Sequence, residues 1–234
     1  MACGRWQNAV LFCNNGTPFG TKDTILSDNR SGAIERMRDR LHNRVQRYLG
    51  QWGVFFRGFV EHPRMVGSII PSSRFTIARM LGPVDWQRCD VFVEYGPGVG
   101  TFCLPVLEKM KGDASFIAID TNPLFVDYLN RTIKDSRFTA VLGSAEKVEE
   151  IVRAAGHDHA DYILSGLPFS TLPGGVGEAI ISSTHRILRQ GGAFMAYQFT
   201  AAVRDLMRAD FERIDSDFEF WNVLPCKLFW GWKD

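Results

Sequence analysis

The residues best suited to chemistry begin at Gly96-Pro97-Gly98-Val99-Gly100, where glycine occupies every second position. The loop directly follows Val91-Phe92-Val93-Glu94-Tyr95, an apolar, β-branched run with an acidic residue near its end. Glycine tolerates positive φ and leaves no Cβ between the backbone and a ligand. Thr101 stands where the dinucleotide pattern GxGxxG needs its last glycine. The shorter GxGxG form suits a ligand with no pyrophosphate to cradle, and lets the backbone approach a nucleoside and an amino-acid tail. Phe116-Ile117-Ala118-Ile119-Asp120 is a second apolar run, ending in a carboxylate 20 residues after Gly100. That spacing fits an acid accepting hydrogen bonds from ribose hydroxyls, with Thr121 beside it. Asp120 can alternatively cap the helix expected from Pro123.

Four further sites complete the set. Glu94, where the run meets the loop, can orient a ligand ammonium group, directly or through water. Gly143-Ser144-Ala145-Glu146 follows a third apolar run, and its side chains and free helix N–H groups can bind the edge of a base. Ser144 also reads as a plain N-cap. Ser165-Gly166-Leu167-Pro168-Phe169 follows a fourth run, and a proline before an aromatic there fixes a loop beside the reactive end of the ligand. Tyr197, with Tyr95 as second candidate, can orient a reacting group or receive its proton. Carbonyl groups of Ser165 to Leu167 can accept hydrogen bonds from such a group. Core packing is the competing reading for both tyrosines.

These residues need a scaffold, and the hydrophobic pattern supplies one. Strands are expected at about 90–95, 115–120, 137–142, 160–165 and 192–199, alternating with helices at about 101–111, 122–134, 145–155 and 174–190. Such alternation implies a parallel sheet with right-handed crossovers, which binds ligands at the carboxyl ends of its strands. After a helix near 200–209, two strands at about 211–219 and 222–232 can form an antiparallel edge hairpin. Phe218, Phe220, Trp221, Phe229, Trp230 and Trp232 then read as core and edge-strand aromatics, or as the lining of an acyl entrance. Ser72 or Ser73 caps a helix carrying Phe75, Ile77, Ala78, Met80 and Leu81, which Gly82-Pro83 stops.

The segment before this scaffold is different. Residues 1–32 show no sustained period and read as a flexible tail. From Ser31, the residues Ile34, Met37, Leu41, Val45, Tyr48 and Trp52 recur at helical spacing, flanked by Arg36, Arg38, Arg40, Arg44 and Arg47. Between Ala33 and Arg64, seven arginines stand against Glu35, Asp39 and Glu61, a local charge of +4. Residues 33–65 are therefore expected to be an amphipathic basic helical segment. It either packs on the main domain or lies on an anionic membrane, with Arg36, Arg40, Arg44, Arg47 and Trp52 in contact. Residues 66–234 form the ligand-binding domain.

The 234-residue chain carries a net charge of only +1, which excludes a globally basic nucleic-acid binder. Its five cysteines form no CxxC pair and read as free thiols of a reducing cytoplasm. His157-Asp158-His159 lacks a second ligand cluster, so no metal is expected. No apolar run approaches the ~18 residues of a membrane span, and no signal peptide is visible, so any membrane contact is peripheral.

Together, Val93 to Gly100, Asp120, Gly143-Ser144-Ala145-Glu146 and Ser165 to Phe169 resemble the ordered motifs of class I S-adenosylmethionine-dependent methyltransferases. Within that group, Gly67-Ser68-Ile69-Ile70-Pro71-Ser72-Ser73-Arg74 and Ser165-Gly166-Leu167-Pro168 resemble bacterial phospholipid N-methyltransferases. The similarity covers roughly residues 55 to 232. It implies a Rossmann-like α/β fold with a mostly parallel seven-stranded sheet, an antiparallel C-terminal edge hairpin and preceding N-terminal helices. It also implies stepwise methylation of phosphatidylethanolamine toward phosphatidylcholine at the inner face of the cell membrane, with S-adenosylhomocysteine as product. The implied cofactor set is Glu94, Gly96, Gly98, Gly100, Asp120, Thr121, Ser144, Ala145, Glu146, Ser165, Gly166 and Leu167. Ser68, Ser72, Ser73, Arg74, Pro168 and Phe169 would meet the lipid, while Tyr197, Tyr95 and Ser165 are the catalytic candidates. The rRNA adenine dimethyltransferases are the nearest alternative, but they carry asparagine where this chain has Gly166. The sequence as given also ends just after the last expected strand, without their helical RNA-binding appendage. Other acceptors consistent with the pattern are a small soluble amine or an ornithine-type lipid. A catalytically silent cofactor- or membrane-binding module is the non-enzymatic alternative.

Overall fold

The computed structural model describes residues 73–220 and 225–234. The expected tail (1–32), the basic segment (33–65) with Arg36, Arg40, Arg44, Arg47 and Trp52, and also Ser68, Ser72 and Trp221 lie outside the described residues. The elements run α1 Arg74–Leu81, β1 Val91–Tyr95, α2 Cys103–Leu107, β2 Ser115–Asp120, α3 Pro123–Thr132, β3 Phe138–Leu142 and α4 Val148–Ala154. They continue with β4 Ala160–Ser165, α5 Val176–Ile187, β5 Leu188–Gln198, α6 Ala202–Met207, β6 Arg213–Glu219 and β7 Cys226–Trp232. One seven-stranded sheet has the order β3-β2-β1-β4-β5-β7-β6. Strands β1 to β5 are parallel, and β7 pairs antiparallel with both β5 and β6.

Both faces of the central strands are covered, so β1, β2, β4 and the second half of β5 are mostly apolar on both sides. Phe92, Phe116, Ala118, Tyr162, Leu164, Ala193 and Met195 point to one face, beneath Met80 and Leu81 of α1, Cys103 of α2 and Leu129 of α3. Val93, Tyr95, Ile117, Ile119, Ile163, Phe194 and Ala196 point to the other, beneath Val148, Val152, Ile180 and Val203. At the edge opposite the glycine loop, the buried Asp161 carboxylate accepts the backbone N–H groups of Asp90 and Val91, each at 2.7 Å. It also pairs with the Arg189 guanidinium. This ties the starts of β1, β4 and β5 together, where a lone buried charge would be costly.

Several boundaries differ from the sequence expectation. Helix α2 is five residues rather than eleven, while the expected 145–155 helix begins as a 3₁₀ turn over Ala145–Lys147. Strand β5 starts at Leu188 rather than 192, because a bulge opposite Ala160 to Tyr162 absorbs the polar Arg189-Gln190-Gly191-Gly192 stretch. Of the C-terminal aromatics, Phe229 and Trp230 are core residues, with the Trp230 indole N–H donating to the Met80 carbonyl at 3.1 Å. Phe220 is 71% exposed. Among the described residues, no helix is long and apolar enough to cross a membrane. The described residues likewise include no group of three His, Cys, Asp or Glu able to hold a metal.

Candidate active site at the carboxyl edge of the sheet

The carboxyl ends of β1, β2, β3, β4 and β5 meet at one edge, and the backbone there is cross-linked. Gly96 N–H donates to the Ile119 carbonyl (2.9 Å), Gly143 N–H to the Asp120 carbonyl (3.0 Å) and Gly166 N–H to the Tyr95 carbonyl (2.9 Å). Gly96, Gly98 and Gly100 all have positive φ, at 62°, 55° and 81°. A Cβ on Gly96 would lie 2.9 Å from Leu167, and one on Gly100 2.7 Å from Leu129. The loop therefore needs glycine for conformation and for space.

Strand alternation then decides which side chains can share the site. Glu94 and Tyr95 are neighbours and must face opposite ways. Glu94 lies on the α2 face, 1% exposed, and receives the Cys103 thiol at 3.4 Å. Burial pushes its carboxyl up to about 8, against the lowering effect of the Cys103 hydrogen bond. Tyr95 is fully buried on the opposite face, its hydroxyl 3.0 Å from Thr184 Oγ1. Burial raises its phenol above the ordinary value. Tyr95 is thus a core residue, and the expectation of a catalytic role for it is corrected.

Asp120 ends β2. One carboxylate oxygen accepts the Asn122 N–H at 2.8 Å and the other the Gly98 N–H at 3.3 Å, so it braces the glycine loop. Burial raises its pKa, partly offset by these backbone donors. Helix α3 is capped by Asn122 rather than by Asp120, while Thr121 is exposed beside it. At the end of β3, Ser144 is an N-cap, accepting the Glu146 N–H at 3.3 Å and bonded to the Glu146 carboxylate at 3.0 Å. Ala145 is in the core, whereas Glu146 is exposed.

The Ser165 to Phe169 loop is held from within. Ser165 is fully buried and its hydroxyl accepts the Leu167 N–H at 3.2 Å, a turn-forming contact. The Leu167 carbonyl accepts both the Phe169 N–H (3.0 Å) and the Gln198 side-chain amide (2.7 Å). With both lone pairs engaged, that carbonyl is not the amine acceptor expected from sequence. Phe169 is 5% exposed and packs edge-on against Phe194, which makes it core rather than a lipid contact. Pro168 is half-buried. Gly166 is buried, and a Cβ there would lie 2.6 Å from Tyr197 Oη and 3.1 Å from the Gly96 carbonyl oxygen. The Tyr197 ring stacks on Phe102 at 5.1 Å. Tyr197, Gly166 and the glycine loop thus converge, on the same sheet face as Glu94.

Ser73 caps α1, its hydroxyl accepting the Thr76 N–H at 3.2 Å. Arg74 is exposed and lies over the Phe75 ring, 4.9 Å from its centroid. Three residues in contact with the candidate site escaped the sequence reading: Cys103, Phe102 and Gln198. Gln198 carried a signal, as a polar residue closing an apolar strand. The other two had none, since their contacts follow from the path of the loop.

No protein-family model matches the chain. It is 23% identical over 178 residues to an ornithine lipid N-methyltransferase from Singulisphaera acidiphila, covering 75% of this chain and 93% of that protein. Among solved structures, it resembles a precorrin-6y C5,15-methyltransferase from Geobacter metallireducens. The TM-score is 0.58 at 15% identity, over 71% of this chain and 92% of that one. It also resembles the N-methyltransferase NodS from Bradyrhizobium japonicum, solved with S-adenosyl-L-homocysteine. There the TM-score is 0.55 at 13% identity, over 67% of this chain and 83% of that one. The chain accordingly has the Rossmann-like fold of class I methyltransferases, a mostly parallel seven-stranded sheet with antiparallel edge strands.

Proposed function

We propose that the chain is an S-adenosylmethionine-dependent N-methyltransferase whose acceptor is the headgroup amine of a membrane lipid. The observation carrying the cofactor reading is Glu94, a buried carboxyl at the glycine loop whose side-chain partner among the described residues is the Cys103 thiol. An ammonium group of an amino-acid tail would draw that carboxyl into its charged form. Asp120, one strand away, offers its carboxylate to ribose hydroxyls while bracing Gly98. S-adenosylmethionine would supply a methyl group activated on a sulfonium. The protein's share is to align the acceptor lone pair with that methyl group and to exclude water.

An acceptor ammonium must first lose a proton. Tyr197 is the candidate to orient the amine, its hydroxyl against Gly166 and its ring held by Phe102. Phosphatidylethanolamine is the acceptor suggested by the resemblance of the Gly67–Arg74 and Ser165–Pro168 stretches. The ornithine lipid enzyme of Singulisphaera acidiphila supports a second acceptor of the same chemical class. The basic segment would hold the protein on the anionic cytoplasmic face of the membrane, and Arg74 would meet the lipid's anionic group.

The test is transfer of labelled methyl from S-adenosylmethionine to liposomes containing phosphatidylethanolamine, ornithine lipid or neither, with RNA in a parallel reaction. Label in an extracted aminolipid is expected. Label in RNA or a soluble amine, with none in lipid, refutes the acceptor reading.

A further inference from the structure

Glu94 and Cys103 form a pair that the cofactor reading does not by itself require. Cys103 opens α2, its N–H donates to the Gly100 carbonyl at 3.1 Å, and its Sγ would lie 3.2 Å from a Cβ on Gly100. The thiol is therefore fixed against the glycine loop and aimed at Glu94 Oε2. Burial and the nearby Glu94 charge push the Cys103 thiol well above its ordinary range, so it stays protonated and acts as the donor. A thiol is a weak donor, and it stabilises the Glu94 carboxylate far less than a cation would. Among the described residues, the Asp120 charge from β2 raises the proton affinity of Glu94, the Cys103 hydrogen bond from α2 lowers it, and its β4 neighbour Leu164 carries no charge.

We propose that Cys103 is a positioning residue that aims Glu94 at the ligand's ammonium group and sets its proton occupancy, so that S-adenosylmethionine binding releases a proton from Glu94 to water. This rests on the cofactor reading above. The sign follows from linkage. Glu94 in the free protein holds its proton below about 8, whereas beside an ammonium it does not. Affinity therefore rises with pH up to that point, by up to about tenfold per unit. Above about 8 the ligand's own amine loses its charge and the gain ends.

The experiment is calorimetric titration of the full-length protein with S-adenosylmethionine and with 5′-methylthioadenosine, which lacks the ammonium group. Titrations run from about pH 6 to 9, the window set by the Glu94 carboxyl and an α-amino group. Because Asp120 serves both ligands, the ratio of the two affinities isolates Glu94. Expected is a ratio rising at least about tenfold between pH 6 and 8, with proton release seen only for S-adenosylmethionine. Cys103→Ala should displace the rising limb to higher pH and Cys103→Ser to lower pH, with 5′-methylthioadenosine still bound by both. A flat ratio in the wild type, or an unmoved limb in both variants, overturns the inference while leaving the cofactor reading intact. Failure of both ligands to bind at any pH removes that reading, and the inference with it.

Discussion

Gly166→Ala is the most informative single change, because the space it fills belongs to Tyr197. The new methyl would lie 2.6 Å from Tyr197 Oη, 3.3 Å from its Cζ and 3.1 Å from the Gly96 carbonyl oxygen. Ordinary carbon contacts are about 3.5–4.0 Å, so at least one neighbour must move by several tenths of an ångström. The Gly96 backbone is held by its bond to Ile119, and the Tyr197 ring is stacked on Phe102. Such overpacking costs about 1–3 kcal/mol. Tyr197→Phe deletes the worst contact and leaves the Gly96 carbonyl oxygen at 3.1 Å and the ring Cζ at 3.3 Å. The double variant should therefore be more stable than the sum of the single effects by about 1–2 kcal/mol. Urea unfolding of the four proteins measures this coupling, and methyl-transfer kinetics should show Gly166→Ala lowering kcat through the displaced hydroxyl. Additive stabilities, or a neutral Gly166→Ala, would show that Tyr197 does not occupy this space and would refute the assembly of the site.

Asp120→Asn should weaken S-adenosylmethionine and 5′-methylthioadenosine alike, roughly tenfold to a hundredfold, since both carry the ribose whose hydroxyls it would meet; calorimetry reads the change. Gln198→Leu removes the donor to the Leu167 carbonyl and should cost about 1–3 kcal/mol in denaturant unfolding. Asp161→Ala strands the Arg189 guanidinium and two backbone donors, and should lower stability by about 3–5 kcal/mol while leaving the ligand edge chemically unchanged. Charge reversal at Arg36, Arg40, Arg44 and Arg47 should weaken binding to anionic vesicles in sedimentation assays. Wild-type binding indifferent to salt would contradict that electrostatic account.

The first four strands were legible to within a residue or two because each is a mostly apolar run closed by glycine, serine or a carboxylate. The start of β5 was not, since Arg189 to Gly192 reads as a turn and becomes strand only through its bulged pairing with β4. The glycine loop and Asp120 were legible for a related reason, as their spacing is set by one crossover. Tyr95 shows a different limit. With its neighbour Glu94 facing the ligand, the period of two forbids Tyr95 from doing so, a constraint already contained in the sequence. The contacts of Gln198 with Leu167 and of Cys103 with Glu94 span 31 and nine residues and obey no spacing rule.

Gly166 also bears differently on the acceptor once its surroundings are known. From sequence it marked the absence of the asparagine found in rRNA adenine dimethyltransferases. In the structure it is buried and hemmed in by Tyr197 and the Gly96 carbonyl, so any larger residue at 166 requires that tyrosine to move. Glycine at 166 and tyrosine at 197 are therefore one feature, the second filling space that the first leaves open. An asparagine there would bring a rigidly placed amide, able to hold a planar base through paired hydrogen bonds. The pair present instead offers a single phenolic hydroxyl on an aromatic ring, a donor and acceptor with one rotatable proton. That inventory matches a small tetrahedral amine better than the edge of a base. It favours a small amine over a nucleobase as acceptor, on grounds independent of the basic segment that precedes the sheet.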